Sequence, residues 1–177
     1  DRKDPANKTR PLEFESALGF KLKGRWDRAV DIAECALFNQ NLIPLLQSIR
    51  AWARAEKLEY YDQRKHTGVL RHLMVREGKN TGEAIVVLFV TDDFNEKTFV
   101  QAVEKAMPSA HIMAAVNNGL ADTAAPESLR VLKGKDHIFE KIVLTDESGK
   151  TVREVTFKLS PQSFFQTNTL TAQKMYS

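Results

Sequence analysis

Apolar residues recur along this chain in two alternating rhythms, and the rhythm changes mark its elements. From Asn39 to about Leu58 they fall at Leu42, Leu45, Leu46, Ile49, Trp52 and Ala53. This three-to-four spacing predicts a helix with one apolar face, and Pro44 lies early, where a first helical turn tolerates it. Val69, Arg71, Leu73 and Val75 then alternate with Leu70, His72, Met74 and Arg76 in a strand pattern, and Gly78-Lys-Asn-Thr-Gly82 reads as a turn. Ala84 to Val90 is an unbroken apolar run of strand length, which predicts a buried central strand hairpinned to the one before it. Asp92 and Asp93 are candidate caps for a helix that places Phe99, Val100, Val103, Ala106 and Met107 on one side and stops at Pro108. His111 to Val116 is the next strand, and the helical crossover before it allows parallel pairing. After a loop from Asn117 to Glu127, three strands are expected at Leu129–Leu132, Ile138–Leu144 and Thr151–Leu159, punctuated by Gly134 and the Asp146–Gly149 turn. Leu18 to Leu22 suggests a short strand, Gly24-Arg-Trp-Asp a turn, and Asp31 to Leu37 a compact apolar stretch around Cys35. Asn168 is placed to cap a closing helix. The expected class is α/β with α+β character: a mixed, mostly antiparallel sheet with two main helices.

Composition narrows the partners more than the fold. The 177 residues are 42% hydrophobic and 28% charged, ordinary for a globular domain that can bury a core. No run approaches the roughly 18 apolar residues of a membrane span, so no membrane partner is expected. The formal charge of +3 is unevenly spread. Residues 1–79 hold 16 Lys/Arg against 11 Asp/Glu, and residues 80–177 hold 10 against 12. A basic front half can face a polyanion such as RNA, although a solvated surface explains the charge alone equally well. A single cysteine, Cys35, excludes an internal disulfide and fits a cytoplasmic protein. Residues 1–12 are polar with two prolines and read as a loop.

Chemistry is sparse. No Gly-rich strand-to-helix loop that could cradle a nucleotide is encoded. His66, His72, His111 and His137 do not fall at metal-ligand spacing. Acidic Asp31 and Glu34 lie close to Cys35 and disfavour its thiolate, so a small structural side chain is its plain reading. The residues that stand out are Ser160-Pro-Gln-Ser-Phe-Phe-Gln-Thr-Asn168, where aromatic and polar side chains alternate after a charged strand. A helix begun at Asn168 and a start at Asp1 without methionine lead us to expect a piece of a longer protein.

Three segments together resemble the RNA (uracil-5-)-methyltransferase family. They are Leu18-Gly-Phe-Lys through Gly24-Arg-Trp-Asp to Cys35-Ala-Leu; Gly68-Val-Leu-Arg71-His-Leu-Met-Val-Arg76; and Ser160-Pro-Gln-Ser-Phe-Phe-Gln-Thr-Asn168 with Gln173-Lys-Met after it. The resemblance implies a central α/β domain over 18–167, preceded by a loop segment over 1–17. Residues 168–177 would then begin a helix leading into a C-terminal methyltransferase domain that holds the nucleophilic cysteine and the general base. It implies S-adenosyl-L-methionine as cofactor, RNA as partner and a monomer acting on uracil C5, with 23S ribosomal RNA as the first expectation and transfer RNA as the alternative. Gln166 matches the family glutamine that touches the cofactor, Phe164 an aromatic position near the flipped uracil, and Cys35 the fourth ligand of a 4Fe–4S cluster in members that carry one. Such a cluster takes four thiolates, so this chain alone cannot assemble it. Two readings from other classes compete: a non-catalytic RNA-binding module using Lys21, Lys23, Arg25 and Arg28, and a structural or oligomerisation domain.

Overall fold

The computed structural model of the chain describes residues 18–21, 23, 24, 29, 30, 32, 35–38, 41–121 and 123–177. The expected loop over 1–12 and the segment over 1–17, Leu22, Arg25 to Arg28, and Asp31 and Glu34 beside Cys35 lie outside the described residues.

Strands β1 (Phe20–Lys21) and β2 (Ala29–Val30) pair antiparallel and precede helix α1 (Leu42–Ala55). The six apolar positions of the helical pattern are the six residues α1 buries. β3 (Leu70–Glu77) and β4 (Ala84–Val90) form the expected antiparallel hairpin, with a bulge between Leu70 and His72. All seven residues of β4 are buried, because both faces of this strand are covered. Helix α2 (Glu96–Ala106) crosses over to β5 (His111–Val116), which pairs parallel to β4. β6 (Ser128–Lys133) adds antiparallel to β5, closing a four-stranded sheet in the order β3-β4-β5-β6. β7 (Ile138–Thr145) and β8 (Thr151–Leu159) form a separate antiparallel ladder, and α3 (Thr169–Tyr176) follows. The mixed, mostly antiparallel architecture is thus divided between hydrogen-bonded sheets.

Strand alternation sorts the core into two clusters. Val86, Leu88, Val90 and Ile112 meet Leu45, Ile49 and Trp52 of α1 and Phe99 and Val103 of α2. Ile85, Val87, Phe89, Met113 and Ala115, on the opposite face, meet Ile138, Leu159 and the half-buried Phe165. Each fully buried large apolar side chain contributes about 1.5–3 kcal/mol. The helices are tied by Ser48 Oγ donating to Ala102 O at 2.7 Å and Trp52 Nε1 donating to Thr98 Oγ1 at 3.0 Å.

The cap of α2 is not Asp92 or Asp93. Asn95 occupies that position and its Oδ1 accepts from Thr98 N–H at 3.3 Å. The choice follows from packing: Phe94, just before the cap, stands edge-on to Phe99 at 5.7 Å and clips the entry of the helix. Asn168 caps α3 as expected, accepting from Thr171 N–H at 3.0 Å. Among the described residues no helix is long and apolar enough to cross a membrane.

Candidate functional site: the loop between β8 and α3

Leu159 ends β8 inside the second cluster, and the chain then turns at Ser160–Ser163. Ser163 N–H donates to Ser160 O at 3.1 Å, and Ser160 N–H donates to Ser163 Oγ at 3.0 Å. Arg76, near the end of β3, reaches across and donates from Nη1 to Ser160 O at 2.8 Å and from Nη2 to Ser163 O. Burial pulls the Arg76 pKa below its ordinary value, yet the guanidinium stays charged. One cation therefore fixes the start of the loop.

A carboxylate fixes its end. Glu140 lies on the same face of β7 as Ile138 and Ile142 and is fully buried. A buried carboxylate needs its lone pairs filled, and four donors fill them. Lys79 N–H at 2.6 Å and Thr169 Oγ1 at 3.0 Å reach one oxygen; Asn80 N–H at 3.0 Å and Lys141 N–H at 2.8 Å reach the other. Glu140 thus joins the Gly78–Gly82 turn, β7 and the first residue of α3. Gly78 is required in that turn because a Cβ there would fall 2.5 Å from Phe139 O.

Helix α3 lies along the edge of β7 that β8 leaves unpaired. Gln173 Oε1 accepts from Val143 N–H at 3.2 Å and from Asn80 Nδ2 at 2.5 Å, and Ser177 Oγ accepts from Thr145 N–H at 3.0 Å. Residues 169, 173 and 177 are spaced by four, about 6 Å of helix rise. Gln173 and Ser177 serve the amides of residues 143 and 145, which lie about 6.7 Å apart along a strand, while Thr169 reaches the Glu140 carboxylate. The near-match of the two repeats lets a helix cover a strand edge.

Between these anchors Phe165 turns inward, its ring 5.5 Å from that of Phe157, while Phe164 is 87% exposed and Gln166 is exposed. Phe164, Phe165 and Gln166 line one side of a groove of about 250 Å³. Ile142, Leu144, Val155 and Phe157 of the β7–β8 ladder and Ala172 and Tyr176 of α3 line the rest. The groove is apolar except for the amide of Gln166 and the phenol of Tyr176, and its lining holds no thiol, carboxylate or imidazole. It can bind a flat or apolar group and offer it one donor and one acceptor. It carries no nucleophile or general base of its own.

The structure therefore brings Phe164 and Gln166 together and leaves Cys35 elsewhere. Cys35 is half-buried in the segment before α1, and its carbonyl accepts from Phe38 N–H at 3.2 Å. Among the described residues no three His, Cys, Asp or Glu side chains gather as a metal site. The residues that hold the loop, Arg76, Glu140, Thr169 and Gln173, were not singled out from sequence for that role. The available signal was Glu140 alternating with Ile138, Ile142 and Leu144, where a charge is buried only when partnered. Arg71 plays a parallel part at the other end of β3. It stacks on Tyr61 at 4.2 Å and donates to the carbonyls of Asn117, Gly119 and Ala121.

No protein-family model matches the chain. Sequence relatives and a solved structure do. It is 31% identical over 168 residues to an uncharacterized RNA methyltransferase of Clostridium acetobutylicum, covering 92% of this chain and 35% of that protein. It is 31% identical over 157 residues to the tRNA (uracil(54)-C(5))-methyltransferase of Pyrococcus furiosus, covering 89% of this chain and 34% of that protein. The crystal structure of the Pyrococcus abyssi tRNA (uracil-54, C5)-methyltransferase, in complex with S-adenosyl-L-homocysteine, superposes with a TM-score of 0.66 at 25% identity. That match covers 89% of this chain and 35% of the Pyrococcus abyssi chain.

The mixed sheet and its helices thus match part of the fold of an RNA methyltransferase. More closely, the chain belongs to the RNA uracil-5-methyltransferase family and spans about a third of the length of the relatives it matches.

Proposed function

We propose that this chain is the central part of an S-adenosyl-L-methionine-dependent RNA (uracil-5-)-methyltransferase and that it presents one wall of the reaction site. The observation that carries this reading is the pairing of exposed Phe164 with exposed Gln166 on one rigidly anchored groove. When bound, S-adenosylmethionine supplies an electrophilic methyl carbon. The Gln166 amide offers its polar atoms both a donor and an acceptor, and the Phe164 ring offers a face on which an unstacked uracil can lie. Uracil C5 is a weak nucleophile until a thiolate adds to C6 and pushes electron density onto C5. After methylation a base removes the C5 proton and the thiolate is expelled. We assign that thiolate and base to residues outside this chain, because the groove lining offers neither. The chain on its own then transfers no methyl group.

Transfer RNA is the favoured substrate, since three Pyrococcus relatives are tRNA (uracil(54)-C(5))-methyltransferases. A 4Fe–4S cluster does not fit this chain alone, which has one cysteine. Cys35 serves as a ligand only with three thiolates from elsewhere, and iron analysis of anaerobically purified full-length protein tests that role. The reaction is tested by methyl transfer from labelled S-adenosylmethionine to tRNA and 23S transcripts by the full-length protein. The expected result is labelling of tRNA at uracil C5; labelling of neither RNA refutes the reading, and labelling of 23S alone reverses the choice of substrate.

A further inference from the structure

Four facts about Glu140 belong together. Its carboxylate is fully buried, it accepts three backbone N–H groups and one hydroxyl, the hydroxyl comes from the first residue of α3, and that residue lies three positions after Gln166. The loop is also held at Ser160 and Ser163 by Arg76, a residue of the neighbouring sheet. Between Ser163 and Thr169, Phe165 is the side chain packed into the core. The position of Gln166 is thus set from its two ends, by a cation on β3 and an anion on β7.

We propose that Glu140 is a positioning residue for the cofactor-facing loop, acting through the Thr169 hydroxyl to hold Gln166 at the groove; this rests on the function proposed above. The Thr169 link is the one contact of the carboxylate that joins the rigid turn and strand to α3. Its other three partners are backbone groups of the Gly78–Gly82 turn and of β7 itself. Removing the hydroxyl takes away the link between the carboxylate and the first residue of α3, while Gln173 still holds the next turn and the three amides still hold Glu140. The fold persists while the glutamine loses its fixed place. A purely structural role predicts loss of thermal stability with unchanged kinetics, whereas positioning predicts a selective effect on cofactor use.

The test is made in the full-length protein with Thr169→Val, which keeps the shape of the side chain, and Thr169→Ser, which restores the hydroxyl. Thr169→Val is expected to raise KM for S-adenosylmethionine about tenfold, the scale of one hydrogen bond to a charged group, with KM for RNA and kcat within about twofold of the unsubstituted protein. Thr169→Ser is expected to return the cofactor KM to within about twofold of the original. A cofactor KM unchanged in Thr169→Val, or not restored by Thr169→Ser, overturns the proposal. If Thr169→Val fails to fold, Thr169→Ala removes the same hydroxyl and is judged by the same criteria. If the unsubstituted protein transfers no methyl group, the functional reading fails, and the anchor is judged by amide hydrogen exchange over residues 164–168. Exchange about tenfold faster in Thr169→Val than in Thr169→Ser upholds the anchor, and equal exchange refutes it.

Discussion

Phe164 and Phe165 are neighbours in sequence with opposite surroundings, and truncating each to alanine separates site from scaffold. Phe164 is 87% exposed, so Phe164→Ala is expected to leave the melting temperature unchanged while weakening use of the RNA substrate. Phe165 is half-buried against Leu159 and Phe157, and Phe165→Ala is expected to cost about 2 kcal/mol, below the full cost of emptying a completely buried phenylalanine site. Equal melting temperatures for the two variants in a denaturation series contradict this division. Glu140→Ala leaves three amides and a hydroxyl without their acceptor and is expected to cost about 3 kcal/mol or more. A loss below about 1 kcal/mol in urea unfolding would mean that water replaces the carboxylate. Phe164 and Gln166 stand out in the sequence because both lie in a short distinctive stretch, and the structure places both on the groove. The anchors of that stretch were not legible, because an arginine and a glutamate within strand patterns do not name their partners 84 or 29 residues away.

At the scale of elements, periodicity placed β4 from Ala84 to Val90 and the buried face of α1 residue for residue, since both are dictated by apolar spacing. The start of α2 was misplaced because three capping residues crowd Asp92–Asn95 and the deciding contact, Phe94 with Phe99, depends on the helix already existing. Asn95→Ala is therefore expected to cost about 1 kcal/mol, and Asp92→Ala close to nothing, by thermal unfolding. The separation of the β7–β8 ladder from the four-stranded sheet was hidden too, because strand patterns do not state their neighbours. Where β6 leads into β7, Gly134 has φ of 78° and its Cβ position would lie 2.3 Å from His111 Nδ1. The same imidazole nitrogen accepts from Lys135 N–H at 3.3 Å. Desolvation, with a smaller push from Lys135, His137 and Lys133 opposed by Glu83, holds the His111 pKa below its ordinary 6.5. As pH falls through about 6.5 the unfolded chain takes up a proton that the native one resists, so this stabilisation is present at neutral pH and lost in acid. Thermal melts from pH 7 to 5 are expected to show that decline, and His111→Asn, which keeps an acceptor without the titration, is expected to flatten it. An identical decline in His111→Asn would assign it to other groups.

For the molecule as a whole, its two apolar clusters stack helices, sheet and ladder into layers, and the groove sits outside them, where the ladder, the loop and α3 meet. Salt dependence of RNA affinity bears on the whole surface: binding by the full-length protein is expected to weaken steeply between about 50 and 200 mM salt if cations such as Lys21 and Lys23 meet phosphates. A flat salt profile would move recognition away from charge. The helix that seals the flank of β7 has one further effect. A strand whose amides lie bare is a template on which a second molecule can grow its own strand. Deleting α3 is thus expected to yield protein that scatters light and binds amyloid dyes on warming, and the side chains that arrange the site double as its guard against self-assembly.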